Sequence, residues 1–181
     1  MAFLNSKGIE QLGLKSCGTN VLISDKASIY SPEQISIGSN VRIDDFCILS
    51  GQITLGDYIH IAAYSALYGK FGIEMESFTG LSPRCTIFSA SDDFSGHYLI
   101  SPMVPEQFTE VTGGLILIKR LSQIGAGTII MPNITINEGV AVGAMSFVNI
   151  DLQEWGIYAG VPARKINERD RTCAELAKKF R

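Results

Sequence analysis

Along the first half of the chain, apolar residues return at every sixth position. The series starting at residue 37 runs Ile37, Ile43, Leu49, Leu55, Ile61, Leu67, Ile73, Thr79 and Cys85. Eight of these nine are apolar, where a 46% apolar composition would place about four. Four residues after each anchor lies a second set that is apolar or small: Val41, Cys47, Ile53, Ile59, Ser65, Phe71, Ser77, Pro83 and Ser89. Both sets are expected to point inward. Gly38, Asp44, Gly56, Ala62 and Gly80, each just after an anchor, suit a tight bend. Each hexad therefore predicts one short strand and one corner.

The period returns later with Ile118, Ile124, Ile130, Ile136, Val142 and Val148. The step from Cys85 to Ile118 (118 − 85 = 33) is not a multiple of six, so residues 89–114 form an insertion, rich in Ser, Pro, Gly and acids. A loop of that length inside a compact fold is usually functional or disordered. Successive anchors six apart would lie about 240° out of phase on an α-helix, which excludes a helical repeat. Strands that pair with the coils above and below, about 4.8 Å away, bury the anchors as a column, and the architecture predicted is an all-β parallel β-helix. Residues 1–20 lack the repeat and read as a cap. The segment 167–181 places Ala174, Leu176, Ala177 and Phe180 at helical spacing and predicts a short terminal α-helix. The whole reads as a single domain, with coils at 21–88 and 115–166.

Composition narrows the partners. Fifteen basic and 18 acidic residues, a formal charge of −3 and no run of five like charges argue against nucleic acid or an anionic membrane. No leader pattern follows Met1 and no stretch approaches about 18 apolar residues, so a soluble, cytoplasmic chain without an integral membrane segment is expected. Cys17, Cys47, Cys85 and Cys173 form no CxxC pair, and two histidines in the chain argue against zinc and metal catalysis generally. No GxSxG elbow is present for a serine nucleophile, and Cys47 and Cys85 fall at inward positions.

The hexads, with Ile124 to Pro132 (IGAGTIIMP) and Tyr158 to Ile166 (YAGVPARKI), resemble the hexapeptide-repeat acyltransferases over residues 21–166. Within that family the chain looks most like the sugar O-acetyltransferases of lipopolysaccharide, O-antigen and other surface-polysaccharide synthesis. The resemblance implies a left-handed coil, a homotrimer with active sites between subunits, and direct acetyl transfer from acetyl-CoA. It also implies that Ala126 and Ala144 meet the pantetheine arm, while Asn149, Arg164 and Lys165 lie near the nucleotide end. Relatives often carry Thr-Lys where this chain has Asn149 and Ile150, which leaves the charge recognition to Arg164 and Lys165. Trp155 is expected to pack the cap onto the coil.

Acetyl transfer needs a base, a donor to the developing oxyanion and close alignment. His60, between the inward Ile59 and Ile61, points outward on a strand, and His97 lies in the insertion. Relatives such as galactoside acetyltransferases carry the catalytic histidine on this loop, shortly after a segment like Leu81 to Ile87, but here Asp92 takes that place and His97 follows five residues later. Two readings stand. In the favoured one His60 is the base, oriented by Asp92 or Asp93, because a strand holds it more rigidly. In the other the loop delivers His97 to the same place. Asp92 and Asp93 are also suited to capping loop backbone. Arg84, Asp93 and Tyr64 are candidates for acceptor contact. The leading activity is O-acetylation of a sugar, on a nucleotide sugar or lipid-linked glycan. The alternatives are N-acetylation of an amino sugar and a non-catalytic structural β-helix.

Overall fold

The computed structural model describes residues 2–180. Short parallel strands stack into three faces of a solenoid of about seven coils. The first face carries Leu22–Ile23, Arg42–Ile43, His60–Ile61, Gly80–Leu81, Gln123–Ile124, Ala141–Val142 and Gly156–Ala159, paired in that order. The second runs from Ser28–Tyr30 through Leu49, Leu67 and Ile87 to Ile130 and Val148. The third runs from Ser16–Cys17 through Ile37, Leu55, Met75 and Ile118 to Ile136. In-register stacking puts like residues above one another, and Ile43, Leu49, Ile61, Leu67, Ile87, Ile118, Ile124, Ile130 and Ile136 are all fully buried. The backbone groups of each rung bond to the neighbouring rungs, and among the described residues no buried side-chain polar atom lacks a partner.

The period shifts phase where the sequence shows none. Coils of 18 residues, such as Ile43 to Ile61, alternate with coils of 20, such as Ile61 to Leu81, because two extra residues enter at Ser31–Gln34 and again at Gly69–Gly72. Gly72, at φ +99°, takes the left-handed conformation that this extension requires. The column of Leu55, Ile61 and Leu67 continues as Met75, Leu81 and Ile87, and Ile73, Thr79 and Cys85 belong to the second column after Ile53, Ile59 and Ser65. Phe71 and Pro83, expected inward, are exposed, and Ser77 is half-buried.

The ends also differ in detail. Helix Ser6–Gln11 covers the start, but strand Ser16–Cys17 already pairs with Ser36 and Ile37, so the stack begins inside the expected cap. After the last parallel rung, Arg164–Glu168 folds back antiparallel on Gly156–Ala159, and the terminal helix starts only at Thr172, ending at Lys179. Asn167 is thus strand, because its backbone completes the exposed edge; Arg181 lies outside the described residues. Trp155 is buried against Gly139, where a Cβ would come within 2.5 Å of its ring, with Arg171 over its outer face. The inserted segment leaves the coil as a small antiparallel ribbon, Ala90–Asp92 against Val111–Gly113. Among the described residues no helix is long and apolar enough to cross a membrane.

Candidate active site

The outward positions of the first face form a column: Arg42, His60, Gly80, Gln123 and Ala141. Asp44, at the bend two residues after Arg42, is almost fully buried and holds both Arg42 and His60. Its Oδ1 accepts from Arg42 Nε at 2.7 Å and its Oδ2 from His60 Nε2 at 2.8 Å. Burial raises the Asp44 carboxyl pKa, but the hydrogen bonds from Arg42 and His60 outweigh it and hold the carboxyl below its ordinary value. A carboxylate can only accept, so His60 Nε2 carries the proton and Nδ1 faces outward. The side chains of His60 and Arg42 stay about half exposed, at 52% and 47%.

Above His60 the column reaches Gly80, which is buried under the Gln123 amide. Gly80 has no side chain, and a Cβ there would stand 2.9 Å from Gln123 Oε1. A groove of about 590 Å³ lies along this column, and its lining includes Asn40, Arg42, His60, Thr79, Ser82 and Gln123. Gln123 Nε2 donates to Ser82 Oγ at 3.4 Å. Tyr58 and Phe78 form one wall as a stacked pair 4.9 Å apart, and Phe180 meets Tyr58 edge-on at 5.0 Å. Among the described residues, no acidic side chain lines this groove.

The remaining candidates lie elsewhere in the chain. Asp92 ends the ribbon strand and lines a second groove with Tyr68, Lys70, Ser101 and Glu106. Within one chain the hydrogen bond of His60 goes to Asp44, whose bend lies one coil below on the same face, and not to Asp92 or Asp93. Asp93 spends its carboxylate on the loop, accepting from the backbone N–H of Ser95, Gly96 and Tyr98. The bonds from Ser95, and those from the backbone N–H of Tyr98 and Gly96, hold its carboxyl far below the usual range. His97 is exposed, with Nδ1 at 2.6 Å from Ser95 Oγ. Tyr64 stacks on Phe46 at 5.0 Å and carries Arg84 over its other side at 5.7 Å, an external ladder at the corner between the first and second faces.

Higher on that corner, Ala126 and Ala144 sit on successive coils, with Met145 N–H donating to the Ala126 carbonyl at 2.8 Å. Gly125 is needed for the coil itself, since a Cβ would meet Ala144 N at 2.6 Å. Asn149 is exposed, Arg164 Nη1 donates to the Ala163 carbonyl, and Lys165 Nζ pairs with Glu168 at 2.6 Å. The sequence pattern marks Asp44 only as a bend residue and does not single out Arg42, Ser82 or Gln123. Arg42 and His60 are 18 positions apart, three hexads, and stack because the coil between them carries no extension.

No family model matches the chain. It is 41% identical, over 100% of its own length and 96% of the relative's, to the dTDP-4-amino-4,6-dideoxy-D-glucose acyltransferase of Escherichia coli. The chain belongs to the hexapeptide-repeat acyltransferases. A solved member, the N-acyltransferase AntD from Bacillus cereus in complex with dTDP and 3-hydroxybutyryl-CoA, superposes with a TM-score of 0.96 at 54% identity, covering 98% of this chain and 95% of that one. A variant of AntD bound to dTDP-4-amino-4,6-dideoxyglucose and coenzyme A gives a TM-score of 0.97 at 53% identity, covering 99% and 97%. These relatives are acyltransferases, and a purely structural role falls away.

Proposed function

We propose that the chain transfers an acyl group from acyl-CoA to the amino group of a dTDP-linked 4-amino-4,6-dideoxyhexose. The observation that carries this reading is the end-to-end identity with the E. coli amino-sugar acyltransferase. A chemical argument supports it. Asp92 stands where galactoside-acetylating relatives place their histidine, and an amine makes a weaker demand on the base than a hydroxyl does. A neutral amine attacks a thioester unaided, and the base need only take the acidic proton of the resulting ammonium, which a carboxylate can do. An alcohol must lose its proton as it attacks, which suits an imidazole near neutrality.

In the proposed reaction the amine nitrogen forms a bond to the thioester carbonyl carbon and Asp92 takes a proton from that nitrogen. The C–S bond then breaks and CoA leaves as its thiol, the proton returning to sulfur. Ser82 is suited to donate to the developing oxyanion. AntD has been studied as variants at one serine and one aspartate ten residues apart, and Ser82 and Asp92 have that spacing (92 − 82 = 10). Within one chain the two line separate grooves, so the reading includes a homotrimer in which neighbouring copies complete each site. CoA would run up the corner past Ala126 and Ala144, whose small side chains leave that edge open. A cytoplasmic step preparing a sugar donor for surface-polysaccharide synthesis fits this substrate class.

The test is to incubate the protein with dTDP-4-amino-4,6-dideoxyglucose and either acetyl-CoA or 3-hydroxybutyryl-CoA. Thiol release and a mass increase of the nucleotide sugar by one acyl group are expected with at least one donor. Turnover of the 4-hydroxy analogue at an equal rate would restore O-acylation, and no thiol release with the amine would end the proposal.

A further inference from the structure

The proposed reaction asks Ser82 to donate to the developing oxyanion, and a serine hydroxyl turns freely unless a neighbour fixes it. We infer that Gln123 is the positioning residue that fixes it, seated for that task on the bare backbone of Gly80. This rests on the acyl-transfer reading and deepens it.

Gln123 and Gly80 are partners on adjacent rungs of the first face, and both occupy outward positions. An outward position on a coil is ordinarily open to solvent, yet Gly80 is buried. The Gln123 side chain lies down over it: a Cβ on Gly80 would stand 2.9 Å from Oε1 and 3.5 Å from Nε2. The rung above Gln123 carries the methyl group of Ala141, so the bare seat is on the Gly80 side. From that seat Nε2 reaches Ser82 Oγ, just past the end of the Gly80–Leu81 strand, at 3.4 Å. The bond is long, as catalytic contacts often are before substrate tightens them. It is the one hydrogen bond that Ser82 Oγ makes among the described residues. The backbone on either side is pinned, with Gly80 N–H donating to the Ser122 carbonyl at 3.3 Å and Ser82 N–H to the Ile124 carbonyl at 2.9 Å. Only the direction of the hydroxyl is left to set.

That direction follows from the chemistry of the amide. An NH2 group can only donate, so it occupies a lone pair of Oγ and the hydroxyl hydrogen points elsewhere. Ser82 and Gln123 line the same groove, and the O–H is left to donate into it, where an oxyanion would form. A donor on Oγ also polarises the O–H and strengthens the bond it gives. Gln123 therefore acts through Ser82 rather than on the reacting atoms.

Turnover at saturating nucleotide sugar and acyl-CoA, with dTDP and CoA affinities read by calorimetry, tests this. Gln123→Met keeps the length and loses the donor, and should lower kcat about tenfold with both affinities kept. Gly80→Ala leaves Ser82 and Gln123 in the chain, but its methyl group should push the flexible amide off its seat and cost kcat a similar factor. Neither substitution should lower kcat further in a Ser82→Ala background, itself about 100-fold slower. A loss that persists in that background, or one confined to KM, would make Gln123 a substrate contact and overturn the inference, as would unchanged kcat in Gln123→Met. Full kcat in Ser82→Ala would also overturn it while leaving acyl transfer to the amine standing. Wild-type protein that releases no thiol with the amine would instead remove the functional reading, and this inference with it.

Discussion

Asp44 accepts a hydrogen bond from His60 Nε2 at 2.8 Å across one rung of the coil, from a carboxylate that is itself almost fully buried. The bond fixes the tautomer and direction of the imidazole and couples it to Arg42 through the same carboxylate. Replacing Asp44 by Asn should lower stability by about 1 kcal/mol at neutral pH, a modest loss because the Arg42 and His60 side chains are half in solvent. The pH dependence has a definite sign. The Asp44 pKa is lowered on folding, so its contribution is complete above the unfolded carboxyl value of about 4 and is lost as pH falls through the lowered folded value. Urea denaturation of wild type and Asp44→Asn should show a gap that narrows on acidification; a gap that widens would contradict the assignment.

Asp92 and Asp93 are adjacent in sequence but differ in role. Asp92→Asn should reduce acyl transfer by about 100-fold with dTDP and CoA affinities retained, as expected of a group that handles the proton. Asp93→Asn should loosen the loop whose N–H groups it collects, and limited proteolysis near residues 94–103 should accelerate. Equal effects of the two substitutions on turnover with no change in proteolysis would argue against this division.

The terminal helix Thr172–Lys179 contains no buried residue and is held by its ends. Arg169 Nη1 donates to the carbonyls of Leu121, Gly139 and Val140, and Phe180 lies edge-on to Tyr58 and Phe78. Phe180→Ala removes the aromatic hold, worth about 1 kcal/mol, on a helix too short to persist alone. Hydrogen exchange should show protection lost in residues 172–179 while the coil keeps its own, whereas a global loss would mean that the tail supports the whole fold.

Burial pushes the Cys47 and Cys85 thiols up to about 11, and each sulfur sits within the coil, close to backbone carbonyls. Iodoacetamide at pH 8 should label Cys17 and Cys173 in the folded protein and reach Cys47 and Cys85 only after denaturation. Early labelling of either buried thiol would show that the coil opens locally.

The sequence was most informative about the interior. Burial inside a solenoid imposes one chemical requirement at a fixed interval, so Ile43, Ile61, Ile124 and Ile130 announce themselves by spacing alone. The two-residue extensions were harder to read, because Ile73, Thr79 and Cys85 remain inward after the slip and keep the period looking intact. The insertion at 89–114 was visible as an interruption, while its ribbon pairing of Ala90–Asp92 with Val111–Gly113 was not.

What the linear chain determined by itself, then, is the repeat, the stack it requires and the position of the break, since each follows from local alternation and turn chemistry. The partner of His60 depended on the number of residues per coil, which sets which bend lies beneath which strand. Only the tertiary structure decided that Asp44, rather than a loop aspartate, holds the imidazole, and that the Gln123 amide covers Gly80. Those relationships join residues 16 and 43 positions apart, and no spacing rule within one strand could contain them.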